Sequence, residues 1–227
     1  MNESVVVAWN RIHSSNEGRK HPLAEQVHPS RVMQTFVDFH VNSYLTERQI
    51  YRFLDIGCGT GANLEALTSS QQIEVHGIDI AKSAIDRCQL RHPHGQFSCA
   101  DSKSLPYPDE YFDFVYAEGS LYYVSEIESF AKSIEEIYRV LKPNGVCRIY
   151  TKSIDDKAVP LKFRGEPYYS RNALSGWEGG LPILYASKGL MLDILVGFSA
   201  IKIGCDKFNF IDSESGMHAF WVVTATK

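Results

Sequence analysis

Asp55, Gly57, Gly59 and Gly61 form the pattern D-x-G-x-G-x-G within the run Phe53-Leu54-Asp55-Ile56-Gly57-Cys58-Gly59-Thr60-Gly61. Glycine lets the backbone turn sharply and lets a ligand approach the main chain where a Cβ would collide. A helix expected over residues 62–69 would present unpaired N–H groups at its N-terminus to a carboxylate or other anion. Asp55, closing an apolar strand, can accept hydrogen bonds from a cationic amino group. A site that meets a carboxylate and an ammonium together suits the amino-acid end of S-adenosylmethionine (SAM).

The same residues admit a second reading. Gly57, Gly59 and Ala62 also satisfy G-x-G-x-x-G/A, the dinucleotide fingerprint, and Asp79 lies about where its ribose-binding acid should be. The loop alone specifies a nucleotide-like ligand on an α/β sheet. Asp55 and the residues downstream separate the two ligands.

Alternating strands and helices must hold these residues. Strand-like runs fall at residues 52–56, 73–80, 96–100, 112–117 and 146–151, with helical patterns at 62–69, 81–91 and 126–141 between them. In the last helix Ile127, Phe130, Ile134, Ile137, Val140 and Leu141 recur at helical spacing, Ser125 is a candidate cap, and Lys142-Pro143-Asn144-Gly145 stops it. Such alternation predicts a doubly wound, mostly parallel seven-stranded Rossmann-like sheet covered on both faces. A helix near 187–196 precedes strands at 199–205 and 219–225, whose linker lacks helical periodicity, so an antiparallel pair is expected at the sheet edge.

Two segments fall outside that core. Residues 1–50 carry helical patterns, with Val32, Phe36 and Phe39 on one face after Pro29, and are expected to form a helical cap on a domain spanning 51–227. Residues 152–183 form an insertion rich in charged and aromatic residues, including Phe163, Arg164, Glu166, Tyr168, Tyr169, Arg171, Trp177 and Glu178. Its length and aromatic content suit a lid over an acceptor.

Composition narrows the class. Net charge is −4, with Lys and Arg spread along the chain, which disfavours a nucleic-acid surface. No apolar run approaches a membrane span, and the first residues lack a signal-peptide pattern. Cys58, Cys88, Cys99, Cys147 and Cys205 show no paired spacing, so neither a metal site nor a disulfide frame is expected, and a cytoplasmic setting is.

Several runs together resemble the class I SAM-dependent methyltransferase family. Phe53 to Gly61 resembles its first motif, and Val75-His76-Gly77-Ile78-Asp79-Ile80 its second strand. Ala100-Asp101-Ser102, Leu105-Pro106-Tyr107-Pro108-Asp109 and Phe112-Asp113-Phe114-Val115 resemble the third and fourth strands of small-molecule members, and Leu141 to Gly145 the turn before the fifth. The resemblance covers roughly residues 50–151. It implies that Gly57, Gly59 and Gly61 shape a loop around the methionine part of SAM, with Asp55 near its amino group. Asp79 would bind the ribose hydroxyls, Ile80 the adenine face, and Asp101 the adenine amino group with the Ser102 backbone nearby. Asp101 has an alternative role as a turn residue capping local backbone.

In this family the loop after the fourth strand faces the transferable methyl; here it reads Ala117-Glu118-Gly119-Ser120-Leu121-Tyr122-Tyr123. Many small-molecule relatives carry a histidine near the two tyrosines, and this chain has none there. Glu118, also a candidate cofactor ligand, or the hydroxyl of Tyr122 or Tyr123 is left to orient an amine or hydroxyl acceptor; packing under the next helix is the alternative for each tyrosine. His13, His21 and His28 lie in the cap, where a histidine such as His28 could approach the acceptor or simply face solvent. Trp9 is either a cofactor-covering aromatic or part of the cap's own core. Arg164 and Arg171 are candidates to bind an anionic acceptor or to be solvated loop charges. The expected reaction is in-line transfer of a methyl group to an O or N atom of a small organic molecule. Competing readings are a non-catalytic SAM-binding module and an NAD-dependent oxidoreductase.

Overall fold

β1 (Tyr51–Ile56) places Phe53 and Leu54 on opposite faces, and both are fully buried, as a central parallel strand requires. Around it β2 (Ile73–Asp79), β3 (Gln96–Cys99), β4 (Phe112–Glu118) and β5 (Leu141–Lys152) run parallel. The computed structural model describes residues 5–14, 28–46, 49–161, 166–170, 181–208 and 217–227. With β8 (Ala200–Phe208) and β9 (His218–Thr226), the strand order is β3-β2-β1-β4-β5-β9-β8. β9 is antiparallel to both β5 and β8, so the last strand inserts inside the edge and β8 forms the edge itself. The doubly wound, mostly parallel seven-stranded sheet is as expected.

Each face has its own apolar layer. On one, Phe130, Ile134, Ile137 and Val140 of α5 (Ile127–Val140) meet Leu54, Ile56, Val115 and Ile149. Burying each such side chain contributes about 1.5–3 kcal/mol. On the other, Phe53, Phe114 and Tyr116 meet α4 (Lys82–Arg91) through Ile85 and Cys88. They also meet Met33, Phe36, Val37 and Val41 from α2 (Arg31–Phe36) and a π-helical segment (Val37–Val41), which runs on into the single turn α3 (Asn42–Tyr44). Residues 31–44 therefore cover the sheet, while α1 (Val5–Ser14) lies elsewhere, against α4.

Some local expectations are corrected. The helix expected over 62–69 is a short 3-10 helix, Asn63–Leu67, so the extended dipole invoked for anion binding is not there. Glu126, not Ser125, precedes α5, and it makes no side-chain capping bond. The Pro143-Asn144-Gly145 turn is a bulge in the β4–β5 register, with Asn144 at φ 65°. Within 152–183, β6 (Tyr168–Ser170) and β7 (Ile183–Tyr185) form a small antiparallel sheet that the sequence did not suggest. His21, Phe163, Arg164, Arg171, Trp177 and Glu178 lie outside the described residues. Among the described residues, no helix is long and apolar enough to cross a membrane.

Candidate functional site

Strand order reverses between β1 and β4, and the carboxyl ends of β1, β2 and β4 open there, the usual ligand crevice of such sheets. Gly57 leaves β1 at φ 76°; a Cβ on it would lie 2.3 Å from Ser120 Cβ. Gly57 and Cys58 donate their N–H groups to Ile78 O at 2.7 and 2.9 Å, pinning the loop to β2. Gly59, at φ 54°, faces open space: a Cβ there would meet nothing nearer than His13 Cε1 at 3.9 Å.

Asp79 ends β2 and ties this loop down. Its Oδ2 accepts from Gly59 N at 3.0 Å and its Oδ1 from Ala81 N at 2.8 Å. Burial pushes its carboxyl up to about 6, against the downward pull of these backbone donors. Each oxygen keeps further acceptor capacity for a ligand hydroxyl.

Beyond Ile80, the chain after β3 supplies the next wall. Asp101 Oδ1 accepts from Lys103 N at 2.9 Å and Oδ2 lies 3.4 Å from Lys103 Nζ, so it caps its own turn. Ser102 Oγ meets Ser133 Oγ of α5 at 2.9 Å. The following Leu105–Asp109 loop is braced by Arg139, which pairs bidentately with Glu136 and donates to Tyr107 O at 2.8 Å. Glu136 in turn accepts from Leu105 N at 2.7 Å.

At the end of β4, Glu118 Oε2 accepts from Ser30 Oγ and Tyr116 OH at 2.6 Å and from Asn63 Nδ2 at 2.9 Å. Asn63 Oδ1 also accepts from Ser30 N at 2.9 Å, which fixes the amide's orientation. Burial raises the Glu118 carboxyl despite these three donors. Asp55 is buried at 2 % exposure and its Oδ2 has no hydrogen-bond partner among the described residues. Burial, then the charges of Glu118 and Asp79, push its carboxyl well above the usual range.

These groups surround a cavity of about 380 Å³ lined by Gly57, Gly59, Asp79, Ile80, Asp101, Ser102, Glu118 and Tyr123, among others. Val5, Val6, Trp9 and His13, one face of α1, form its roof, and Trp9 packs edge-on against Tyr123 with centroids 5.0 Å apart. Ser125 is on the wall. Asp55 and Gly61 lie outside the lining; a Cβ at Gly61 would strike His92 and Cys88, so this glycine brings the loop close to α4. Tyr122 sits in an apolar cluster with Ala8, Tyr150 and Phe220 rather than on the wall, and His28 is exposed away from it.

Ser30, Asn63 and Tyr116 carried no signal before folding, being far from one another in the chain and meeting only at Glu118. The Glu136/Arg139 brace had a signal, acid and base three apart on a predicted helix. On the wall, a carboxylate whose bonds among the described residues all end on one oxygen, and the open space over Gly59, fit a ligand bearing an ammonium group. Asp79 fits its diol.

Residues 54–149 match the family described as methyltransferase domain. A malonyl-[acyl-carrier protein] O-methyltransferase of Halorhodospira halophila is 33% identical over 104 residues, 44% of this chain and 34% of that protein. A 24-methylenesterol C-methyltransferase 2 of Arabidopsis thaliana is 26% identical over 159 residues, 67% of this chain and 41% of that protein. The chain thus spans well under half the length of these two relatives. Among solved structures, the 1,6-didemethyltoxoflavin-N1-methyltransferase of Burkholderia thailandensis, with its substrate and S-adenosylhomocysteine bound, superimposes with TM-score 0.65 at 16% identity, covering 98% of this chain and 87% of that one.

Proposed function

We propose that this chain, which over residues 54–149 belongs to the methyltransferase-domain family, has the class I SAM-dependent fold and takes SAM as cofactor, methylates an O or N atom of a small organic acceptor. SAM supplies an already activated methyl on a sulfonium. What remains for the protein is to bind, align and exclude water.

Asp79 carries the reading: a buried carboxylate at the end of β2, both oxygens already fixed by backbone N–H groups, is set to receive a ribose diol. The open space over Gly59 allows the ligand chain to pass, Glu118 meets its ammonium with the buried Asp55 behind the wall, and Ile80, Asp101 and Ser102 form the adenine pocket. Glu118 and Tyr123 are the groups that orient the acceptor, because both line the cavity and Trp9 fixes the Tyr123 ring. Tyr122 backs Tyr123 at 4.5 Å between centroids. The three relatives methylate oxygen, carbon and nitrogen, as their names state; the acceptor is therefore argued from the roof of Val5, Val6 and Trp9, which favours a small molecule with an apolar or aromatic body. A cytoplasmic location is part of the reading, supported by five free thiols.

Titration with SAM, S-adenosylhomocysteine and NAD tests it. Binding of the first two at micromolar concentration, lost in Asp79→Ala, is the expected result. Binding of NAD alone overturns it, as does unchanged SAM affinity in the variant.

A further inference from the structure

We propose that the α2 side of the β5-β9-β8 edge is a second binding site, outside the cavity, for a dianionic oxyanion of the phosphate or sulfate type. Arg148, Lys202 and His40 would hold it, with the Thr224 hydroxyl between the first two. The proposal does not depend on the cofactor or the acceptor.

Strand register gathers these residues. Thr224 of β9 stands opposite Arg148 of β5 on one side and Lys202 of β8 on the other, so the three side chains share one face of the sheet. The outer two are two strand spacings apart, about 10 Å at the backbone, which lets a guanidinium and a long ammonium arm close around one anion. Residues of α2 meet the same face: Thr35 Oγ1 and Val32 O accept from Arg148 Nη1 at 3.0 and 3.4 Å. The Phe36 ring has Arg148 Cζ 5.1 Å from its centroid and the His40 ring at 5.6 Å. Guanidinium and imidazole are thus brought together against one aromatic ring.

The positive charge here is uncompensated. Arg148 is only 9 % exposed, and a guanidinium stays protonated in a protein. Its acceptors are all neutral: Thr224 Oγ1, from Nε at 3.1 Å, and the two α2 oxygens. Nη2 makes no hydrogen bond among the described residues, and none of Arg148, Lys202 and His40 has an ion pair among them. The acids on the neighbouring elements are engaged elsewhere. Asp206 of β8 meets Arg31 and Tyr150, Asp38 accepts from Gln34, and Tyr116, opposite Arg148 on β4, donates to Glu118. A buried charge is costly unless paired, and stacking on Phe36 offsets only part of that cost. Burial, then the charges of Arg148 and Lys202, hold the His40 imidazole below its ordinary range. A bound anion counters those two charges, so binding would draw a proton onto His40. Thr224 Oγ1 accepts from Arg148 and keeps its own proton to donate. An unspent guanidinium edge, an ammonium and a hydroxyl are the donors that a tetrahedral oxyanion takes.

NMR titration of the full chain with sulfate, which stays dianionic across the pH range of histidine, tests this at the His40 imidazole. The expected result is saturable binding, an upward move of the His40 titration midpoint, and affinity that rises as pH falls through that range. Lys202→Gln, at an exposed position, should weaken sulfate about tenfold. Arg148→Lys keeps the charge but loses the fork, and should weaken it as well. Inorganic phosphate and glycerol 3-phosphate then separate the sources. Tighter binding of the ester assigns the phosphate end of a small molecule, and equal or weaker binding assigns a free anion. Binding that does not saturate, or an equal sulfate affinity in Lys202→Gln and the wild type, means an adventitious ion only and overturns the proposal; this comparison stands even if Arg148→Lys does not fold. A His40 midpoint that sulfate leaves in place overturns it too.

Discussion

The amide nitrogen of Gly59 lies 3.0 Å from Oδ2 of Asp79, so the acid proposed to hold the ligand also shapes the glycine loop beside it. Loop and acid come from different strands, and the shared bond makes their geometry one unit. A ligand diol would meet a carboxylate whose orientation is already set, which lowers the ordering cost of binding.

This relationship gives the pH dependence a sign. Burial raises the Asp79 carboxyl to about 6, and the Asp55 and Glu118 carboxyls are raised as well. A raised acid binds more protons folded than unfolded, so its contribution to stability is lost as pH rises from its unfolded value toward 6. For ligand binding the sign reverses, since protonated Asp79 has less acceptor capacity. Thermal denaturation should show the unliganded protein losing stability as pH rises across that window. S-adenosylhomocysteine should bind progressively more weakly as pH falls below about 6. Affinity that holds steady from neutral pH down to about 5 would remove Asp79 from the binding site.

Gly57→Ala should be severely destabilising for two separable reasons. Its φ of 76° costs a residue with a Cβ about 1–2 kcal/mol. The new atom would lie 2.3 Å from Ser120 Cβ, and overpacking of this kind adds about 1–3 kcal/mol. Adding Ser120→Gly removes the clash but not the backbone strain, and gives up the 2.7 Å hydrogen bond from Ser120 Oγ to Ile56 O. Urea denaturation, with Ser120→Gly alone measured to account for the lost hydrogen bond, should leave the double variant more stable than the sum of the two single losses implies; strictly additive losses would locate the whole cost of Gly57→Ala in the backbone.

Period and punctuation carried the sheet. The stripe of Phe130, Ile134, Ile137 and Val140 and the buried run of β1 follow from side-chain spacing alone, and the loop glycines follow from their positive φ values. The Glu118 network was not legible, because Ser30 and Tyr116 reach the same oxygen across 88 and 2 positions of chain. Tyr122 and Tyr123 show the limit on a finer scale. Adjacent residues of one type look alike in sequence, yet only the second reaches the cavity wall. Likewise, Asn63 begins the expected helix as an ordinary polar residue, and folding turns its amide toward Ser30 and Glu118.

Arg139→Lys should disturb, from a distance, the side of the cavity proposed to take the adenine. The guanidinium spans Glu136, Leu105 O, Tyr107 O and Asp109 Oδ1 at once, and an ammonium cannot reproduce that fork. Loss of these bonds should cost about 1–3 kcal/mol and raise amide exchange across residues 100–109. The affinity for S-adenosylhomocysteine should fall with it, since Asp101 and Ser102 stand at the start of the freed loop. Unchanged exchange in that segment would show that the loop holds its place without the brace.

Asn10→Ala tests whether α1 is a roof or a bystander. Ser83 N and Ser83 Oγ both donate to Asn10 Oδ1 at 3.3 Å, and Ser83 Oγ also reaches Asn10 O at 3.2 Å. Asn10 thus caps the N-terminus of α4, where Ala81 contributes no side-chain cap. A second tie runs from Arg87 Nη1 to His13 O at 3.4 Å, so α1 hangs on α4 by its polar edge while Trp9 and His13 face the cavity. Removing the Asn10 side chain should cost about 1 kcal/mol as a lost cap. It should also expose residues 5–14 to limited proteolysis and weaken S-adenosylhomocysteine binding several-fold, because Trp9 is no longer held over the cavity. If proteolysis accelerates while affinity does not change, α1 contributes nothing to ligand retention, and the cavity must be closed by the other residues on its rim.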